Sequence, residues 1–274
     1  MYHELQYYIV PVVFILTYII LYFLTYIKKI SYSGNLLEEK LNKEDIYIIT
    51  NESCKCCDIK MYNIIFYKLK CNLCKIKRVI NFEKERDIYY LLENIKDSVK
   101  FLIHTEGGES DFPNFLTYIL KQQKIYVETF IPQHAISAGS FIALSSNIIR
   151  MNWYSSMGPV DTQIDYSLCH SDDESDDESF PAKYIKDVKH KSNALTRLRA
   201  MEAEGYHQDD LFIISSMFKK KKKRDLIIKN FLETKHSHSI KYGPKDLRNF
   251  GLNVKIGIPM KIKLIFDEFK KLYD

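Results

Sequence analysis

Apolar and polar positions along residues 45–151 alternate between two periods. Asp45–Thr50 (DIYIIT) and Lys77–Asn81 (KRVIN) are short apolar runs that read as strands. Glu83–Lys96 places Ile88, Leu91, Leu92 and Ile95 at helical spacing, and Val99–His104 (VKFLIH) is a strand running into the turn Thr105-Glu106-Gly107-Gly108. Phe112–Leu120 resumes helical spacing and Lys124–Ile131 is a strand. Ser137–Ser146 (SAGSFIALSS) is a compact helix of small residues, and Asn147–Met151 is again strand-like. Strands alternating with helices predict βαβ units, hence an α/β fold with a largely parallel sheet. Sites in such sheets form at the carboxyl ends of the strands, where both glycine-bearing turns would lie. Beyond Asp161 the pattern changes. Pro181–Ala203 reads as a helix with proline in its first turn, Gln208–Glu233 as a second helix, and Lys245–Phe250 with Leu252–Ile256 as a last short helix and strand.

The first thirty residues have a different character. From Tyr7 to Ile27, 21 residues carry no charge, and Lys28-Lys29 follows. At about 1.5 Å per residue a helix of this length spans roughly 30 Å, the thickness of a bilayer core. Tyrosines lie towards both ends, where amphipathic rings prefer the interface, and the bases follow the span. The expectation is a single-pass anchor at 1–30, with residues 31–274 on the cytosolic side. A cleaved signal peptide is the alternative, but it would call for a basic leader, a shorter apolar run and a small-residue cleavage site.

Composition bounds the rest. A chain of 274 residues, 46% apolar and 27% charged, is too apolar for disorder and suits one globular domain with extras. A net charge of +5 is modest for this length, so a nucleic-acid partner is not expected. The charges are clustered: six acids fall within 172–178, in an acidic insert at 170–180, and Lys219–Arg224 is six consecutive bases. Both runs read as solvated loop or helix-end segments. Five of six cysteines lie between Cys54 and Cys74. Cys54-x-x-Cys57 and Cys71-x-x-Cys74, thirteen residues apart, have the spacing of a four-cysteine zinc ribbon inserted at 51–75. Four thiolates leave no open coordination position, so such a zinc would be structural. No cofactor is expected for catalysis. Unpaired loop thiols are the alternative.

The segment that carries chemistry is Ile131–Gln163. Ser137, between small residues, follows a strand and opens a helix, where a hydroxyl is exposed and the helix N-terminus favours developing negative charge. Gly107-Gly108 follows the preceding strand in the adjacent turn, and its backbone N–H groups with that of Ala138 offer an oxyanion site. The plain alternative is that Ser137 caps the helix and the glycines only make a turn.

Leu102–Gly108 (LIHTEGG), Ile131–Leu144 (IPQHAISAGSFIAL) and Met157–Gln163 (MGPVDTQ), in this order and spacing, resemble the serine dehydrogenase proteinase family of the Clp-protease/crotonase superfamily. Signal peptide peptidase A and the NfeD-type membrane-bound serine proteases are relatives. The resemblance covers roughly residues 45–255 and is specific over 99–163. Glu106 stands where the family has proline, and Thr162 where it has a second proline. The resemblance implies stacked ββα units and a membrane-anchored serine peptidase acting on peptide or protein substrates and assembled as a homo-oligomer. It implies Ser137 as nucleophile, and Gly107, Gly108 and Ala138 lining the oxyanion site.

A serine needs a neighbour to take its proton, and three candidates stand. Lys183 occupies a place similar to that of the lysine in NfeD-type Ser–Lys proteases, where desolvation must hold a lysine neutral. His238, in His236-Ser237-His238-Ser239, precedes a tail similar to the family's C-terminal segment. Asp161 would orient a histidine rather than act as base, or simply cap a loop. Lys183 ranks slightly ahead of His238. His104 and His134 flank the two turns and are expected to pack or bond locally. Two other functions stay open: a catalytically inactive scaffold of the same fold that binds partners at the membrane, and acyl-CoA chemistry of the crotonase kind.

Overall fold

The computed structural model describes residues 17, 18, 21, 22, 25, 29, 32–50, 76–82, 84–108, 111–166, 178–181, 194–234 and 237–273. These fall into two compact units. One draws on residues 1–44, 52–78 and 264–274, the other on 45–51 and 79–263.

The larger unit is built on a six-stranded sheet in the order β10-β6-β4-β3-β1-β2, with every neighbouring pair parallel. The strands are β1 (Ile46–Thr50), β2 (Val79–Asn81), β3 (Ser98–Ile103), β4 (Tyr126–Ile131), β6 (Ile148–Met151) and β10 (Val254–Ile256). All five residues of β1 are buried, as are the last three of both β3 and β4. Such continuous burial marks strands covered on both faces, which is why they read as apolar runs rather than as alternation. Helices α2 (Glu85–Asn94) and α3 (Asp111–Gln122) provide crossovers. In α3, Pro113, Leu116, Thr117 and Leu120 form the buried stripe, with Asp111 favourably placed in the first turn. Helix α4 (Ala138–Leu144) is buried on every side, the environment its small residues suit. The α/β class and parallel sheet are those expected from the pattern.

Two short pairings were not legible as strands. Thr105 bridges Ala135 in β5 (His134–Ala135), and β5 pairs in parallel with β7 (Ser156–Met157), so a second small layer forms beyond the carboxyl ends of β3 and β4. The hairpin β8 (Gln163–Tyr166) and β9 (Glu178–Pro181) is antiparallel.

The two helices expected beyond the acidic insert are redrawn. Glu178–Pro181 is strand, so Pro181 does not open a helix, and one helix, α5, runs unbroken over Ala194–Met217. Its buried residues include Ala200, Ala203, His207, Asp210, Ile214 and Met217, in phase throughout. Gly205 does not break it: nothing lies within 4 Å of where its Cβ would be, so glycine there costs only about 1 kcal/mol. The helix stops at Phe218–Lys220, where like charges begin to crowd, and α6 (Lys221–Ile227) continues as a π-helical turn, Ile228–Leu232. Helix α7 (Pro244–Asn249) precedes β10. The chain does not finish its secondary structure at β10: α8 (Met260–Tyr273) follows.

In the smaller unit, α1 (32–44) buries Leu37 and Leu41 completely, and the residues of α8 from Leu264 onwards bury Ile265, Phe266, Phe269 and Leu272. Lys40 pairs with Glu268 at 3.5 Å, Arg78 donates to Asn42, and Phe269 stacks on Tyr273 with centroids 4.6 Å apart. Residues 17, 18, 21, 22, 25 and 29 are helical and exposed. Among the described residues no helix is long and apolar enough to cross a membrane. Most of the apolar stretch 7–27 lies outside them, as do Cys54, Cys57, Cys71 and Cys74 and all of the acidic insert up to residue 177.

Candidate active site

Two turns meet at the carboxyl ends of the paired strands β3 and β4. Thr105 and Ile136 are joined by the bond from Ile136 N–H to Thr105 O, 3.1 Å. Ser137 stands at the corner between β5 and α4 with φ +50° and ψ −117°. A left-handed φ at a non-glycine residue is strained, typically by about 1–3 kcal/mol, and a strand-to-helix corner of this kind lifts a serine hydroxyl out of the backbone. That hydroxyl makes no capping bond to α4, so the capping role is not taken up. Ser137 is half-buried.

Two glycines explain how closely the turns approach. Gly107 has φ +120°, and a Cβ on it would lie 2.8 Å from the Ser137 Cβ and 3.5 Å from its Oγ. A Cβ on Gly139 would lie 2.3 Å from Thr105 Cγ2. Only glycine admits these contacts. The Gly107 N–H donates to Thr105 Oγ1 at 3.0 Å. The Gly139 and Phe141 amides go to the Ile136 and Ser137 carbonyls, and Ala138 supplies the first amide of α4. His104 and His134 pack ring against ring, centroids 4.5 Å apart, and His134 contacts Glu106 at 3.2 Å.

The segment 157–163 runs alongside. Met157 and Tyr242 exchange both backbone bonds, at 3.0 and 2.7 Å. Gly158 donates to Ser140 Oγ at 2.9 Å, and Ser140 donates in turn to the Ala135 carbonyl. A Cβ on Gly158 would meet Ile136 Cγ2 at 2.9 Å and the Ile240 carbonyl at 3.4 Å. The residue before Ser137 and a residue two beyond His238 therefore flank the same glycine.

Four residues on from Met157, the Asp161 carboxylate is 2% exposed and its Oδ1 lies 2.8 Å from His238 Nδ1. Gln163 Nε2 donates to the Asp161 carbonyl at 3.0 Å, which fixes the amide's orientation, and it also lies 3.1 Å from His238 Nδ1. An amide N–H and an imidazole N–H cannot donate to each other. With Nδ1–H directed at the carboxylate, Gln163 packs against the ring rather than bonding to it. This tautomer leaves Nε2 as the acceptor. The loop is held on two further sides. Val160 N–H donates to the Phe231 carbonyl of the π-helical turn at 2.9 Å, and Thr162 Oγ1 donates to Asp210 Oδ2 at 2.7 Å. Phe250 packs edge to face with both Phe231 and Tyr242, whose rings are tilted against each other, and Tyr242 Oη donates to the Asn230 carbonyl, so that the cluster braces the segment that carries His238.

Of the residues singled out in the sequence, Gly107, Ala138 and Ser137 come together at the two turns, Gly108 continues the first, and Asp161 and His238 form a pair. Lys183 lies outside the described residues. Asp210 was missed. Its signal was a carboxylate in the apolar stripe of a helix, hidden by reading that helix as two. Among the described residues no cluster of three His, Cys, Asp or Glu side chains could hold a metal ion.

Among solved structures, the chain aligns with a variant of the 1510-N membrane-bound stomatin-specific protease, at 16% identity over 80% of this chain and 82% of that one, TM-score 0.35. It also aligns with a peptidase from Plasmodium falciparum, at 10% identity over 80% of this chain and 98% of that one, TM-score 0.40. A curated protein of Methanocaldococcus jannaschii, described as uncharacterized, is 39% identical over 66 residues, which are 24% of this chain and 23% of that protein. The model of one family matches residues 4–273, and by that match the chain belongs to the ClpP-like SDH-type serine proteinases.

Proposed function

We propose that the chain is a membrane-anchored serine endopeptidase in which Ser137 is the nucleophile, His238 the general base and Asp161 the group that orients the base. The observation that carries this reading is the buried Asp161 carboxylate 2.8 Å from His238 Nδ1, on two segments that bridge each other at Met157 and Tyr242, the first of which pairs with the strand leading into Ser137. Lys183, the other base considered, lies outside the described residues.

In this mechanism His238 Nε2 takes the Ser137 proton as Oγ attacks the scissile carbonyl carbon, and the imidazolium is stabilised by Asp161. The oxyanion of the tetrahedral intermediate lies between the Gly108 and Ala138 amides, Gly107 N–H being engaged by Thr105. The imidazolium then protonates the departing amine as the C–N bond breaks, leaving an acyl-enzyme. Water, deprotonated by the same imidazole, releases the acid and restores Ser137. The reading extends to an anchor at Tyr7–Ile27, a cytosolic catalytic domain, assembly into a homo-oligomer, and a structural zinc on Cys54, Cys57, Cys71 and Cys74. For the last, the chain purified without chelators should carry about one equivalent of zinc, and less than about half would count against it.

The test is incubation of the full chain with a library of unstructured peptides, with cleavages read by mass spectrometry. Ser137→Ala and His238→Gln are each expected to lower turnover by about 10³-fold or more, with Lys183→Ala close to wild type. Turnover that survives Ser137→Ala overturns the reading. Turnover lost in Lys183→Ala but kept in His238→Gln moves the base to Lys183.

A further inference from the structure

Asp210 is 1% exposed in the buried stripe of α5. A carboxylate is expensive in such a place unless polar partners surround it. Its partners come from two directions. Asn114 Nδ2, on α3, donates to Oδ1 at 3.0 Å, and Thr162 Oγ1 donates to Oδ2 at 2.7 Å. The Thr162 backbone N–H donates to the same carboxylate. Thr162 lies between Asp161, which holds His238, and Gln163, which packs on His238 and bonds the Asp161 carbonyl. One side chain on α5 thus grips both the backbone and the hydroxyl of the residue next to the histidine's partner.

We infer that Asp210 is a positioning residue of the peptidase site, holding Thr162 and through it the direction in which Asp161 meets His238. The inference rests on the proposed Ser137, His238 and Asp161 roles. A two-point grip on Thr162 fixes the peptide that follows Asp161, and an imidazole carried out of line loses proton transfer before it loses substrate binding.

The charge balance agrees with a role other than stability. Burial pushes the Asp210 carboxyl from the ordinary 3.8 up to about 6, with neighbouring Asp209 adding repulsion while Thr162 and Asn114 pull down. Asn114 from α3, Thr162 from the loop and Asp209 on α5 itself are the groups acting on it, and His207 lies one turn earlier on the same stripe. Between pH 3.8 and about 6 the folded chain keeps a proton that the unfolded chain has released, so this group's contribution to stability falls as pH rises through that window. At neutral pH the ionised carboxylate is held at a cost to the fold, a pattern of function set against stability.

The test uses the full chain with Asp210→Asn and, as a milder variant, Thr162→Val. Each is expected to lower kcat about 10-fold or more with KM within about twofold, and Asp210→Asn to leave Tm at pH 7.5 at or above wild type. The acid limb of kcat/KM should steepen through a second proton near pH 6 in the wild type, and that steepening should vanish in Asp210→Asn. The two substitutions should combine to less than the product of their separate effects. Independently of turnover, the downfield Nδ1 proton resonance that His238→Gln abolishes should persist in Ser137→Ala and weaken in Asp210→Asn. An unchanged resonance in Asp210→Asn overturns the positioning role, as does wild-type kcat. So does a kcat loss matched by a fall in Tm. Turnover surviving in Ser137→Ala while the resonance weakens in Asp210→Asn would instead sink the peptidase reading and leave the positioning of His238 standing.

Discussion

Around Ser137 the chain is fixed by contact. Gly107 and Gly139 bring two backbones so close that an added methyl would overlap Ser137 or Thr105, and every residue of α4 is buried. Around His238 it is fixed by hydrogen bonds: Asp161 to the imidazole, Gln163 to the Asp161 carbonyl, Val160 to Phe231, Thr162 to Asp210. Packing is indifferent to protonation and intolerant of volume. Hydrogen bonds to buried carboxylates tolerate isosteric change in shape but not change in charge. The proposed nucleophile, held by packing, and the proposed base, held by hydrogen bonds to carboxylates, should therefore fail in different ways.

The largest expected effect separates them by charge alone. Asp161→Asn keeps volume but replaces the acceptor-only carboxylate that sets the His238 tautomer with a neutral amide that can also donate, and kcat should fall about 10⁴-fold with Tm little changed. Steady-state cleavage of a fluorogenic peptide measures this, and a loss smaller than about tenfold would mean that Asp161 merely caps its loop. Next comes volume alone. Gly139→Ala places a methyl against Thr105 Cγ2, whose distance from the added carbon would be 2.3 Å without relaxation, and overpacking of this kind costs about 1–3 kcal/mol. Thr105→Ser deletes that methyl while keeping the Oγ that accepts the Gly107 N–H. The double variant should therefore recover most of the lost Tm and activity. No recovery in calorimetry would mean that the turns are not held by this contact.

The same division explains what could be read in the sequence. The packed half is local. Small residues follow strand ends at Gly107-Gly108 and Ala135–Ser140, and the strand-helix alternation around them places both turns on one edge of a parallel sheet. Strand β1 was legible because burial on both faces leaves a continuous apolar run, and β3 and β4 because the same burial covers their last three residues, whereas β6 alternates half-buried with buried positions. The hydrogen-bonded half is distant in sequence: Asp161 and His238 are 77 residues apart, and Asn114 and Asp210 are 96 apart. Nothing in local periodicity joins such pairs, which left Lys183 and His238 as rival bases. Asp210 was hidden because two polar residues, His207 and Asp210, interrupt the apolar stripe of α5 beside Gly205. The two-residue strands β5 and β7 carry no pattern long enough to detect.

The smallest expected effect concerns Glu106, where the two halves touch. Its carboxylate lies 3.2 Å from His134 Nε2, beside the packed turns, and 4.0 Å from Lys241 Nζ, on the segment that carries His238. If ion pairing aligned the two halves, removing this group would misplace the base as surely as removing Asp161. The side chain is 67% exposed, however, and Lys241 is 53% exposed, so water and salt screen both contacts. Exposed pairs of this kind contribute about 0–1 kcal/mol. Glu106→Ala should thus leave kcat within about twofold of wild type and shift Tm by no more than about 4 °C. The shift should be smaller still at 0.5 M salt, since screening already removes most of what the substitution removes. A tenfold fall in kcat at low salt, restored by neither salt nor Glu106→Asp, would show that alignment runs through Glu106, and that contact and hydrogen bonding are not separable supports.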